Sequence, residues 1–226
     1  MFQITKNGFE NSDSTVERLR IEFKRQDSAV LRDFLDTELL HEFLNIVEKS
    51  TFVPKTEGDE GDEFGHIMHI PRDQAAIFVF HLVLNRPALF RAIEKITDCG
   101  AIGNFFGRIH KSLPNSDHQI EWHGDNADNR MIGVSINLSR SRYSGGSFQI
   151  REKDSEEVRN EIANLRLGDA FLFRISPRLQ HRLMAVESGD SRTVAVGWFR
   201  SAPDWQTFSR RVFLFRSSGH PTPPEP

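Results

Sequence analysis

The stretch IEWHGDNADNR, residues 120–130, holds the residue types with the clearest chemical potential. His123 and Asp125 stand two apart, at the end of an alternating apolar run and the start of a polar turn. On an extended strand such positions share a face, so imidazole and carboxylate point to one side while Trp122 points to the other, toward packing. Gly124 leaves the chain between them free to tighten. Neutral imidazole and carboxylate are donors for iron or zinc, but a His-X-Asp pair recurs by chance and needs a third ligand. His181, after LGDAFLFRISPRLQ, is the candidate. Arg192 opens the next run, RTVAVGWF, and in a β-hairpin joining the two runs its guanidinium would enter the same hollow. A planar guanidinium there suits a carboxylate that itself binds the metal.

Strands must bring these positions together. From residue 101 onward the chain breaks into AIGNFFGRI, HQIEWH, MIGVSINLS, GSFQIR, DAFLFRI, HRLMAV and TVAVGWFR, separated by turn signals such as Gly-Gly and Ser-Gly-Asp. Runs this short and evenly spaced predict a sandwich or double-sheet jelly roll. SEEVRNEIAN interrupts them as either a helix or a polar strand. Gly145-Gly146 and Gly168-Asp169 read as tight turns, the latter with Asp169 exposed.

The first half predicts helices that brace one outer face of the sheet. SAVLRDFL reads as a short strand, Asp36 caps TELLHEFLNIVEKS, and QAAIFVFHLVL reads as a helix. Asn85 is expected to cap a further helix, with Pro87 in its first turn, ALFRAIEKIT as its body and Gly100 beyond its end. KTEGDEGDEFG, residues 55–65, predicts a mobile loop, a possible lid, because it offers nothing to bury. The expected fold class is mainly β with flanking helices. A single domain is expected over residues 1–216, with helical support to about residue 100, a jelly-roll core over about 101–200, and a flexible proline-rich tail at 217–226.

A chain of 226 residues can bury a proper core. A net charge of −3 gives no electrostatic case for nucleic acid as a partner. Arg108, Lys111, Arg140 and Arg142 read as a solvated basic face, with a phosphate-bearing partner as the other reading. Cys99 alone cannot form an internal disulfide, the N-terminus does not read as a signal peptide, and no apolar run is long enough to span a membrane. A cytoplasmic protein without a membrane partner is expected. Oligomeric state is not legible.

The ordered set His123-X-Asp125, YSGG at 143–146, LGDAFLF at 167–173, His181 and Arg192-X-Val resembles the iron(II)/2-oxoglutarate dioxygenases, most of all their prolyl 4-hydroxylase branch. The resemblance covers about residues 101–200 well and the first half loosely. It implies a double-stranded β-helix (jelly roll), Fe(II), 2-oxoglutarate as cosubstrate, O2, and ascorbate as a reductant. It implies that His123, Asp125 and His181 hold the iron and leave three positions open. Arg192 would pair with the distal carboxylate of 2-oxoglutarate. The family's tyrosine on the strand after His-X-Asp falls on Asn137, so an amide stands there instead of a hydroxyl. Arg108 and His110 share a parity that faces the pocket, the first toward the cosubstrate and the second toward the substrate. Arg130 and Asn126 fall at the mouth, and Trp198 at the rim or in the core.

His66 and His69 could approach a metal if helical, but show no third partner, and His41 and His81 read as core or boundary residues. The implied activity is hydroxylation of an unactivated C–H bond in a small molecule (an amino acid or natural-product intermediate), with 2-oxoglutarate decarboxylated to succinate. Asp125 argues against halogenation, since halogenating relatives carry a small residue at that position. A prolyl hydroxylase acting on a peptide is the alternative. A non-catalytic metal- or ligand-binding jelly roll is a further one, against which Arg192 counts.

Overall fold

The computed structural model describes residues 1–59, 62–127, 129–163 and 165–201. It opens with β1 (Phe2–Thr5), β2 (Gly8–Asn11), α1 (Asp13–Gln26), β3 (Ser28–Leu31) and α2 (Thr37–Glu48). β4 (Val53–Asp59), β5 (Asp62–His69), α3 (Ala75–Leu84) and α4 (Pro87–Thr97) follow. The remainder is strand: β6 (Ile102–Ser112), β7 (Ile120–His123), β8 (Arg130–Asn137), β9 (Tyr143–Gly145) and β10 (Phe148–Glu152). After these come β11 (Val158–Ile162), β12 (Ala170–Arg174), β13 (Leu179–Leu183), β14 (Val186–Gly189) and β15 (Arg192–Ser201).

Eleven strands make one curled sheet in the order β11-β10-β13-β7-β5-β6-β15-β8-β12-β3, with β4 on β5. The sheet folds back on itself. Phe148 of β10 packs against Phe171 and Phe173 of β12, ring centroids 4.9 and 4.8 Å apart, although the two strands lie far apart in the strand order. This is the expected jelly roll, a double-stranded β-helix.

Alternation explains why one layer feeds two cores. Ile132, Val134 and Ile136 of β8, with Ala170 and Leu172 of β12, face the helices and join the larger core. The intervening Phe171 and Phe173 turn the other way and pack with Phe148, Ile150, Ile162 and Leu179. A slip of one residue would exchange these faces, so burial on both sides fixes the register. The helices cover the outer face with residues at helical spacing, Leu39, Leu40, Phe43, Leu44 and Val47 from α2 and Leu89, Ala92, Ile93 and Ile96 from α4. Asp36 caps α2 as expected, its side chain accepting from the Leu39 amide at 2.7 Å.

Other expectations need correction. The N-terminal half is mixed, as the strand reading of SAVLRDFL (β3) implies, but among the described residues it holds five strands rather than one. Residues 55–59 and 62–65 are strand rather than loop: β4 and β5 pair antiparallel and join the main sheet. Their charges do find partners, as Glu57 does in Arg108, and a glycine supplies the close approach. Gly65 pairs with Ile120 of β7 at φ 153°, and a Cβ there would stand 1.9 Å from the Gln119 carbonyl oxygen. SEEVRNEIAN resolves to a strand, β11. Asn85 does not cap α4, whose N-cap is Arg86; it ends α3, and its side chain holds the Phe105 amide at 2.8 Å and carbonyl at 3.0 Å. Gly100 does lie beyond α4, but the left-handed cap is Asp98.

Asp169 is fully buried rather than exposed, because Arg32, Arg166 and the Asp33 amide all bind its carboxylate. Among the described residues no single helix is long and apolar enough to cross a membrane. The domain end at 216 and the tail at 217–226 lie outside the described residues.

Candidate metal centre

The register of β7 on β13 sets His123 directly opposite His181, their ring centroids 4.3 Å apart. Asp125 follows just beyond the end of β7. One donor atom from each of the three side chains lies within 4.8 Å of the others, and His181 Nε2 is 3.4 Å from Asp125 Oδ2. His123 donates from Nδ1 to the Glu121 carbonyl at 2.8 Å, which leaves Nε2 as the donor atom for a metal. Among the described residues this is the group of histidine, cysteine and carboxylate side chains that could hold an ion.

Apolar rings set the electrostatics. Phe64 stacks on His123 at 5.2 Å, while Phe148 and Phe173 flank His181 at 5.2 and 5.0 Å. Burial, helped by the neighbouring His181, pushes His123 down to about 4, so its imidazole is neutral and its lone pair available. Burial would raise the Asp125 carboxyl, but His181, Arg130 and His123 outweigh it and hold it well below the usual range. Two side chains grip that carboxylate. Arg130 donates to Oδ1 at 2.7 Å, and Trp198 Nε1 donates to Oδ2 at 2.6 Å.

These residues line a cavity of about 370 Å3, which Arg192 and Ser135 also line. Arg192 is buried; burial lowers its pKa, against which its side-chain partner Tyr143 acts. Gly146, at φ 64°, leaves room for it, since a Cβ there would lie 2.9 Å from Arg192 Cδ and 3.3 Å from the Tyr143 ring. The YSGG motif therefore shapes the Arg192 pocket.

The structure brings most of the sequence-based candidates together and corrects others. His123, Asp125, His181, Arg192, Arg108, His110, Arg130 and Trp198 all line the cavity. His181 and Arg192 do not belong to one hairpin: β14 intervenes, β13 lies between β7 and β10, and β15 between β6 and β8. Arg192 reaches the hollow from β15, which β7, β5 and β6 separate from β13 in the sheet. Asn137 has the inward parity but not the reach, because its amide donates to the Leu165 carbonyl at 2.7 Å and accepts from the Ser139 amide at 3.1 Å. A tyrosine hydroxyl does stand nearby, but on Arg192: Tyr143 hydrogen-bonds that side chain and is not among the residues lining the cavity. Asn126 is exposed and does not line the cavity.

His66 and His69 lie on a strand, not a helix, and His66 pairs with Glu63 at 2.8 Å. His41 is exposed, while His81 is a boundary residue that accepts from the Gly107 amide at 3.0 Å. Sequence reasoning missed Phe64, Tyr143 and Glu57. Glu57 alternates with Lys55 in PKTEGD, a strand signal masked by its charge.

Residues 108–200 match the family model described as the 2OG-Fe(II) oxygenase superfamily. No curated protein matches the sequence. Among solved structures, the chain is similar to a 2OG-Fe(II) oxygenase family oxidoreductase from Burkholderia pseudomallei, with TM-score 0.62 and 18% identity over 89% of this chain and 99% of that one. It is similar to the non-heme alpha-ketoglutarate-dependent epimerase SnoN from nogalamycin biosynthesis, with TM-score 0.60 and 13% identity over 84% of each chain. A prolyl hydroxylase from Trichoplax adhaerens gives TM-score 0.58 and 16% identity over 84% of this chain and 94% of that one. These likenesses show the fold.

The segment that matches the 2OG-Fe(II) oxygenase model, a superfamily that uses Fe(II), 2-oxoglutarate and O2, carries all three donor residues and Arg192, so the likeness falls on the residues that form the site. The donor set fits that metal: two imidazoles, one of them fixed as a neutral ligand, and one ionised carboxylate are the donors a non-heme Fe(II) centre takes.

Proposed function

We propose that the protein hydroxylates an unactivated C–H bond of a small molecule, an amino acid or natural-product intermediate, while 2-oxoglutarate is decarboxylated to succinate. One observation carries the reading: two imidazoles, a carboxylate and a buried guanidinium converge on one cavity of about 370 Å3. His123, Asp125 and His181 would hold Fe(II). When bound, Fe(II) supplies the activation of O2 that oxidises 2-oxoglutarate and the target C–H bond. The remaining tasks fall to the chain's own residues. Arg192, held by Tyr143, takes the distal carboxylate of 2-oxoglutarate. Arg130 and Trp198 fix the orientation of Asp125. Phe64, Phe148 and Phe173 exclude water around the imidazoles.

Cavity size favours a small substrate. It lies near the lower end of the common range of about 300–1,000 Å3 for ligand pockets, and 2-oxoglutarate must share it. The neighbours bracket the choice, for SnoN has been solved with Fe3+, alpha-ketoglutarate and nogalamycin RO, and the Trichoplax enzyme with a peptide fragment.

Anaerobic addition of Fe(II) and 2-oxoglutarate is expected to give the weak visible charge-transfer band of the chelate. Asp125→Ala and His181→Ala remove it, whereas Arg192→Met keeps Fe(II) binding and requires far more 2-oxoglutarate. A protein that binds no Fe(II), or binds it without response to 2-oxoglutarate, overturns the reading. Succinate release with small molecules set against prolyl peptides then decides the substrate class.

A further inference from the structure

Among the described residues, two buried side-chain polar atoms have no hydrogen-bond partner, Arg108 Nε and His110 Nε2. They sit two apart on β6, and both residues line the cavity. Facing them is Glu57 of β4, which accepts from Arg108 Nη1 at 3.0 and 2.7 Å, lies 3.7 Å from His110 Nε2 and is also bonded by Lys55. Glu57 stands opposite Gly65, so the close crossing of β5 over β7 carries its strand to the cavity wall. The Arg108 guanidinium also lies over the Trp198 ring at 5.2 Å, and Trp198 Nε1 reaches Asp125. One aromatic ring therefore separates this cluster from the candidate ligands.

Buried polar atoms without partners are costly, and here both belong to residues that line a cavity a ligand can enter. A guanidinium is always protonated, so its Nε–H needs an acceptor. Burial pushes His110 down to about 3, which leaves it neutral, able to add a hydrogen bond but no charge. An acid alone would meet these donors yet face the ionised Glu57, and an amine alone would leave Arg108 Nε without an acceptor. A group carrying both charges satisfies the cluster.

We propose that Glu57, Arg108 and His110 are the docking site for the substrate's head group, and that this head group is an α-amino-acid zwitterion. Its ammonium binds Glu57 and its carboxylate takes the N–H donors of Arg108 and His110. The proposal rests on the Fe(II)/2-oxoglutarate reading and narrows its substrate class.

The test is calorimetric titration, under anaerobic conditions, of the protein loaded with Fe(II) and 2-oxoglutarate. The probes are free L-α-amino acids, their N-acetyl derivatives, their carboxamides and a doubly blocked prolyl dipeptide. At least one free amino acid is expected to bind. Its N-acetyl and amide forms should bind at least about tenfold more weakly, the scale of loss when a polar group loses its designed partner. Glu57→Gln and Arg108→Lys should weaken the free amino acid similarly while the charge-transfer band persists. With the band intact, the proposal is overturned if no free amino acid binds, if the blocked forms bind equally well, or if only the dipeptide binds. Absence of the band in the unsubstituted protein overturns the Fe(II)/2-oxoglutarate reading instead, so the two failures are separable.

Discussion

At the scale of single residues, the candidate centre depends on how firmly Asp125 is held. A free carboxylate can rotate away from a metal, but here each oxygen has a partner, Arg130 on one and Trp198 on the other. Trp198→Phe keeps an aromatic ring for the Arg108 and Arg130 guanidiniums to lie against and deletes the indole donor together with part of the ring. Loss of such an outer partner typically costs about 10–100-fold in metal affinity, so Fe(II) titration should show a drop of that order with the fold intact. An unchanged affinity would show that Arg130 alone orients the carboxylate. The ligand candidates were legible because His123 and Asp125 share strand parity and His181 and Arg192 open or occupy apolar runs. Parity alone could not say that the Asn137 amide is engaged by Leu165 and Ser139, or that Tyr143 comes from another strand to reach Arg192.

At the scale of elements, the β4–β5 hairpin distinguishes this cavity from a bare barrel. It contributes Glu57 and Phe64 to the wall, and its seat depends on Gly65. Any side chain at 65 meets the Gln119 carbonyl, and the positive φ is one that residues with a Cβ rarely adopt. Gly65→Val should therefore detach the hairpin from β7 while leaving the sheet order β6-β15-β8-β12 in place. Faster amide exchange confined to residues 53–69, with a visible band still formed by Fe(II) and 2-oxoglutarate, is the expected result. Exchange rates unaltered in that segment would show that β5 does not need the close approach. The acidic composition hid this hairpin, since a reading from burial alone gives a charged segment no reason to order. Its order comes from backbone pairing and from ion pairs with side chains of another strand.

At the scale of the whole molecule, one buried carboxylate ties the first part of the chain to the last. Asp169 precedes β12 and receives the Asp33 amide at 2.8 Å, Arg32 at 2.7 Å and Arg166, while the Gly168 carbonyl accepts from the Leu35 amide at 3.2 Å. LGD was legible as a turn, from its glycine, but not as this junction, because the residues that bind it are remote in sequence. Burial would raise the Asp169 carboxyl, yet the Asp33 amide, Arg32 and Arg166 outweigh it and hold it below its ordinary value. A depressed native pKa means that the unfolded chain takes up the proton first as pH falls. The contribution is thus fully present above the unfolded aspartate range, near pH 4, and is lost as pH drops through the native value. Asp169→Asn removes the charge and most of that linkage. Urea unfolding should show it less stable by about 1–3 kcal/mol at neutral pH, the cost of weakening charge-assisted bonds at a buried acceptor. The gap should narrow steadily below about pH 4, where the original carboxylate is itself neutralised. A difference that stays constant across that acid range would show that Asp169 stabilises the junction by shape and neutral hydrogen bonding, with its charge contributing nothing.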